Sequence, residues 1–521
     1  MRLTLLLMGF ILATQAFAGE DKVEEKPRFD VMEYQIEGNS VLPVIAVEEV
    51  VYPWLGEKKT VDDVEHARED LERAYHDAGY STVLVDIPEQ KVDSGIIYLK
   101  VTEGTISKVR VTGSRYFSQD RILAKTPSIA EGSVPYFPDL QKDIASVNTT
   151  ADRRVTPILK AGKTPGTVDV DLKVDDKLPL HASLELNDRH GANTTPWRAI
   201  GMVRYDNLWQ REHSLSLQYQ TAPKEPSQVG VFSASYLIPL SDKGDALAMY
   251  AIRTRSDVAA VGEITVQGNG TIYGIRRIVP LPGSSQLFHS LSFGADYKDF
   301  KEDLTLRGSD SFSTPISYLP FSLSYNATSQ LEQSLTQYNL SANFAVRGLS
   351  NKPEEFGNKR YLAQPNYFYL RGEVEHSSKL FGNYSYMAKI GGQWADQPLI
   401  SNEQYGAGGG DTVRGYLESE ALGDDALHAT LELRSPSVAN LISSNLDDLH
   451  FLVFMDSAAL RVTDPLPQQK SRYTLTSAGF GARMKAWRNL SASFDLGRAF
   501  RESTNTHSGD IRMHFRMLYE F

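Results

Sequence analysis

The chain has 521 residues, no cysteine and a formal net charge of −11. Its length allows two or three domains, the missing thiols exclude a disulfide framework and thiolate metal sites, and the acidic balance argues against nucleic acid as a partner, since phosphate binding needs a basic surface. A mean hydropathy of −0.32 is that of a soluble protein, yet a transmembrane β-barrel hides its apolar face on alternate residues and keeps the same average.

Residues 1–18 read as a cleaved secretory peptide: Arg2, an apolar run from Leu3 to Ala13, then Ala16-Phe17-Ala18. Residues 19–31 form a short charged segment broken by Pro27, with room for a turn or two of helix. Residues 32–104 follow a βααββ plan. Tyr34 and Ile36 alternate with polar neighbours before Gly38-Asn39, and Ala46 to Leu55 suits a short helix. Thr60, with Asp63 three residues on, caps a second helix whose Val61, Val64, Ala67, Leu71, Ala74 and Tyr75 share one face. Strands are expected at Thr82 to Ile87 and Gly95 to Val101.

Residues 105–178 repeat the plan: a strand from Ile106 to Val111, two helical stretches within Ser118 to Val147, and strands near Arg154 to Leu159 and Thr167 to Val174. Neither module holds a catalytic constellation. No H-E-x-x-H, G-x-S-x-G or phosphate-binding glycine loop occurs in the chain, so no catalytic group, metal or cofactor is expected.

From residue 179 to 521 alternation replaces helical periodicity. Leu215, Leu217 and Tyr219 oppose Ser216 and Gln218; Leu291, Phe293, Ala295 and Tyr297 oppose Ser292, Asp296 and Lys298. In the last strand Ile511, Met513, Phe515, Met517, Tyr519 and Phe521 oppose Arg512, His514, Arg516 and Glu520. A charge-free outer face over ~9–11 residues with aromatic ends is what lipid requires. Tyr367, Tyr369, Tyr384 and Tyr386 suit an aromatic girdle. Roughly 342 residues at ~20 per strand and connection give about 16 antiparallel strands. Near the end, Gly408-Gly409-Gly410-Asp411-Thr412-Val413-Arg414-Gly415-Tyr416 places one guanidinium after a glycine hinge, a tip able to enter a narrow space and seek a carboxylate.

An exported chain with two βααββ modules, a strand-rich remainder, this VRGY tip and a terminal aromatic resembles the outer-membrane transporter family of two-partner secretion (TpsB), the haemolysin-activation and filamentous-haemagglutinin secretion proteins. The modules resemble POTRA domains: Tyr75, Gly79-Tyr80, Ile87-Pro88-Glu89-Gln90, Gly95 and Glu103-Gly104 in the first, Ala161 to Gly166 in the second. The resemblance implies two periplasmic POTRA modules and a transmembrane barrel over 179–521, with a loop around 405–422 folded into the lumen. Its tip, Val413, Arg414, Gly415 and Tyr416, would meet an inner-wall aspartate. Phe454-x-Asp456-x-Ala458 matches the family's F-x-D-x-G except for the alanine, and Asp495 ranks second. Tyr519 and Phe521 would form the C-terminal assembly signal.

The implied function is export, without ATP, of an unfolded β-rich partner recognised by strand addition at the module edges, with Thr82 to Ile87 and Thr167 to Val174 as expected edges. Barrel assembly machinery and periplasmic chaperones would serve biogenesis, and outer-membrane lipid would surround the barrel. A pore-plugging N-terminal helix, common in the family, has little room in residues 19–31. The rival readings are an insertase of the same superfamily, a passive porin and a soluble adhesin.

Overall fold

The computed structural model describes residues 27–521 apart from 93, 193, 242–243, 256–257, 262–263, 268, 302, 306–310 and 350–351. The secretory peptide and residues 19–26 lie outside the described residues. One compact unit runs to Ser114 and resumes over Ile122–Asp176; the other takes Arg115–Arg121 and Lys177–Phe521.

The first unit holds two small mixed modules. In the first, β1 (Phe29–Val31) pairs with β3 (Gly56–Lys59), a ribbon absent from the expected plan, while β2 (Glu33–Glu37), β5 (Ile96–Thr102) and β4 (Leu84–Asp86) form a sheet in that order. Helices α1 (Val44–Val51) and α2 (Val61–Asp77) bury Val47, Val51, Val64, Ala67, Leu71 and Tyr75 against it. Asp63 accepts from the Thr60 N–H at 2.7 Å and the Thr60 hydroxyl at 2.8 Å, so the cap read from sequence starts α2. The Glu103 carboxylate accepts the N–H groups of Ser40 and Val41, fixing the turn after β2.

The second module has β6 (Thr105–Thr112), β8 (Thr167–Asp176) and β7 (Arg153–Ala161) in the order β6-β8-β7, with helices α3 (Gln119–Ala124) and α4 (Phe137–Val147). β8 is therefore central, bonded on both sides. The expectation that Thr167 to Val174 offers a free edge is corrected: alternation shows which face a residue takes, not how many neighbours its strand has.

The edges carry a shared device. On β4, the Val85 N–H donates to Glu72 at 3.0 Å and the Val85 carbonyl accepts from Arg68 at 3.3 Å. Gln90 pairs twice with the Tyr98 main chain, both at 2.8 Å. Asn148 pairs twice with Val155 on β7, at 2.6 and 2.9 Å, and Pro157 on the same strand has no N–H to offer. On β6, Ile106 bonds to Ser133 and Gly132 at 2.8 and 2.7 Å. Side chains and a turn thus occupy edge groups that would otherwise recruit another strand. Among the described residues, the main chain of Tyr34–Glu37 on β2 has hydrogen bonds to β5 alone.

The second unit is a closed antiparallel barrel of 16 strands, from Leu180–Asn187 to Ile511–Glu520, the eighth being Ile316–Tyr318 continued by Pro320–Gln330. The last strand closes on the first through five paired positions, Arg516 with Asn187 to Glu520 with Ser183. Alternation places side chains as read: Phe293, Tyr297, Met513 and Tyr519 face outward, Asp296 and His514 inward. Long connections gather at one end, short turns at the other. Trp394 and Tyr384 lie exposed on the outer surface, but Tyr367 and Tyr369 are buried inside the loop end. Their place in an outer girdle is corrected, because both faces of the wall are apolar there and alternation cannot say which of them meets lipid.

Candidate functional site

Between the strands Ser385–Ala395 and Asp425–Arg434 the chain turns inward. Tyr405–Ala407 pairs with Ala421–Gly423, and the glycine-hinged tip lies beyond. Gly408 and Gly409 take positive φ, 112° and 96°, while Gly410 does not. At Gly409 a Cβ would fall 2.3 Å from the Glu418 carboxyl carbon, so that side chain would have to shift, and the positive φ would strain any other residue. Nothing lies within 4 Å of a Cβ at Gly410, so conformation does not demand glycine there.

Arg414 meets the inner wall. Its Nε and Nη2 donate to the two oxygens of Asp456, both at 2.8 Å, a fork-to-fork pair, and its backbone N–H adds a third bond to Asp456 at 3.0 Å. Nη1 donates to Glu432 at 2.7 Å and lies 3.5 Å from Asp495. Phe454 lies under the guanidinium, 3.5 Å from ring centroid to carbon. Strand pleat explains the wall: Phe454, Asp456 and Ala458 are buried, whereas Val453 and Met455 on the same strand are 55% and 56% exposed.

The three carboxylates have two further cations. Arg434 bonds Glu432 at 2.7 Å, and Arg483 bonds Asp495 at 2.9 Å. Three guanidiniums and three carboxylates therefore balance, the arrangement a confined charge cluster needs.

The rest of the tip packs by shape. Val413 and Tyr416 are fully buried among Ala458, Leu460, Leu475 and Ala499, and the Tyr416 hydroxyl donates to the Arg501 carbonyl at 2.8 Å. Gly415, at φ 90°, donates its N–H to His514 Nε2 at 2.9 Å and lies against Gly497, where a Cβ would come within 2.7 Å of the Gly415 nitrogen. A cavity of about 360 Å³ lined by Asp188, Glu418, Arg483 and His514 remains beside the tip. Tyr519 and Phe521 stack edge to face at 4.8 Å on the outer surface.

The structure therefore brings Arg414 together with Asp456 and Phe454, and with Asp495 at longer range. Sequence reading missed Glu432, Arg434, Arg483, His514 and Gly497. The signal for Glu432 was present: His428, Thr430 and Glu432 alternate with Leu427, Leu431 and Leu433, so a carboxylate stands on the polar side of a strand that is apolar on the other.

The model of the haemolysin secretion/activation protein family ShlB/FhaC/HecB matches residues 166–484, more than half of the chain. The chain belongs to that family. A ShlB-type POTRA domain model matches residues 29–104. Outer membrane transporter CdiB of Dickeya dadantii (strain 3937) is 21% identical over 461 residues, 80% of this chain and 74% of that one. CdiB from Escherichia coli gives a TM-score of 0.59 at 17% identity, covering 98% of this chain and 93% of the other. BamA from Haemophilus ducreyi lacking POTRA domains 1-3 gives 0.58 at 15%, covering 95% and 100%. At such identities these structures show the fold, and the family model carries the function.

The protein is an outer-membrane transporter of two-partner secretion, a transporter rather than an enzyme by family, with its POTRA modules in the periplasm. Since the first strand starts at Leu180 directly after the periplasmic modules, the turn end of the barrel is periplasmic and the loop end extracellular.

Proposed function

We propose that this transporter takes up its unfolded, β-rich partner at the open edge of β2, Glu33–Glu37, and passes it through the barrel without ATP, with the anchored tip of the inward loop holding the lumen at rest. The observation that carries the reading is the bidentate Arg414–Asp456 pair, joined by Glu432, inside the wall of a barrel that follows two POTRA modules. A passive porin has no need of a loop clamped by six charges, and a soluble adhesin has no need of an apolar outer wall.

Recognition follows from main-chain chemistry. An extended chain needs a row of unpaired N–H and C=O groups, and adding a strand to a sheet edge satisfies both partners. The β4 edge is engaged by Arg68 and Glu72, so an arriving strand would have to displace an ion pair there, whereas β2 presents its outer groups directly. Folding of the partner outside the cell makes the passage directional. During biogenesis the barrel assembly machinery and periplasmic chaperones handle the transporter, with Tyr519 and Phe521 as the assembly signal.

The test places a photoreactive residue at Gln35 and, separately, at Val170 in the central strand β8. Crosslinks to secreted partner from position 35 and none from 170 are expected. Equal labelling from both, or none from 35 while secretion proceeds, would refute docking on β2.

A further inference from the structure

A barrel that conducts polar chain through lipid is expected to have a polar lumen, yet its extracellular third is lined inward by Ile252, Ile272, Phe300 and Tyr318, all buried to within 3%. What covers them is the loop between the strands Ser334–Ala345 and Phe368–Lys379. Its short helix Pro353–Lys359 inserts Phe356, whose ring meets Tyr318 edge-on at 5.6 Å. Pro353 at the first position, Glu354 and Glu355 in the first turn and Lys359 in the last suit a helix, but seven residues alone would be marginal. Its seat in the mouth holds it.

The residue after that helix, Arg360, ties three extracellular loops. Its guanidinium donates to both oxygens of Asp424, at 2.5 and 2.7 Å, to the Leu399 carbonyl at 2.5 Å and to the Thr463 carbonyl at 2.8 Å. Asp424 is fully buried and also accepts the N–H groups of Leu399 and Thr463, at 2.8 and 2.7 Å. It stands where the inward-folded loop returns to the wall, between Ala421–Gly423 and Asp425–Arg434. The loop is therefore fixed at its root as well as its tip, and the root fixture belongs to a different loop.

We propose that the segment Pro353–Tyr367 is the exit stopper of the barrel and that Arg360 is the positioning residue clamping the root of the inward-folded loop, so that this loop stays in the lumen until the stopper lifts. The inference rests on the conduit reading only for the direction of traffic; the closure itself does not depend on a cargo.

The experiment uses the full chain, which has no native cysteine. Glu355 accepts the Ser317 N–H at 3.0 Å, so Glu355→Cys with Ser317→Cys, bridged by a short reductant-cleavable thiol crosslinker, pins the stopper to the wall. Secretion should be lost on bridging and return on reduction. In planar bilayers, Arg360→Met and Phe356→Ser should each raise conductance above that of the parent, with heat-modifiable migration showing that the barrel still forms. If Arg360→Met fails to fold, Phe356→Ser and the crosslink still decide. Wild-type secretion from the bridged protein, or parental conductance in every folded variant, would overturn the proposal. Raised conductance in a chain that secretes no partner in any form would sink the conduit reading and leave the stopper standing.

Discussion

At the tip of the inward loop one guanidinium meets three carboxylates on a polar wall; at its root one guanidinium meets one carboxylate among apolar side chains. The difference lies in redundancy. Arg414 losing one acid still has two neighbours, and Glu432 and Asp495 losing Arg414 keep Arg434 and Arg483, whereas Asp456 and Asp424 each have one guanidinium, Arg414 and Arg360, among the described contacts. A site built for release can share its charge among several partners, so that no single contact has to break in full.

The strongest way to break that comparison is Arg414→Ala, which removes the cation common to all three acids. Losing one partner of a buried pair costs about 3–5 kcal/mol, and two remaining guanidiniums do not balance three carboxylates. Secretion should fall to background and the loop should become open to added protease in intact cells, while the barrel still shows heat-modifiable migration. Exchanging Arg414 and Asp456 should not restore function, since an acid at 414 would face Glu432 and Asp495. Recovery to parental secretion by the exchange would show that the other two acids carry no weight.

A graded series sharpens the redundancy. Asp456→Asn should weaken the tip most, by about 1.5–3 kcal/mol for hydrogen bonds to a charged group, Glu432→Gln less, and Asp495→Asn least, following three bonds, one bond and a 3.5 Å approach. Protease sensitivity of the loop is the readout, and an inverted order would mean that distance does not rank these contacts. Gly415→Ala should cost about 1–3 kcal/mol through its left-handed backbone alone, with Gly497→Ala comparable, because its Cβ would meet the Gly415 nitrogen.

The tip was legible because its motif is compact: nine consecutive residues, Gly408 to Tyr416, carry the hinge, the cation and the aromatic anchor. Asp456 was legible through its match to the family's F-x-D-x-G pattern, alanine standing for the glycine. Glu432 stood in an equally readable strand, but choosing it required knowing that the strands of Asp425–Arg434 and Leu446–Arg461 are neighbours, which pairing shows and periodicity does not. The stopper was hidden for a further reason. Tyr367 and Tyr369 read as outer-girdle residues, since a barrel pattern assumes that apolar means outward, and only the seated loop at Phe356 reverses that assignment. Likewise β8 alternates as an edge strand would, while its two neighbours make it central.

The smallest effect lies outside the barrel and separates loop events from general loss of stability. Asp63 caps α2, and the Thr60 N–H, then the Thr60 hydroxyl, hold its carboxyl below the ordinary value of 3.8 against the opposing effect of partial burial. A depressed folded value means the cap contributes fully above the unfolded carboxylate value and fades as pH falls through the folded one. The cap is solvent-accessible, so its contribution is below about 1 kcal/mol. In Asp63→Asn, the first-turn amides of α2 should exchange a few-fold faster than in the parent at pH 6, with the gap closing below about pH 4. Secretion should be unchanged throughout. A secretion defect as large as that of Arg414→Ala would mean that loop and module stability cannot be told apart by function, whereas a purely local change in exchange would leave the contrast between tip and root as the source of the transport phenotypes.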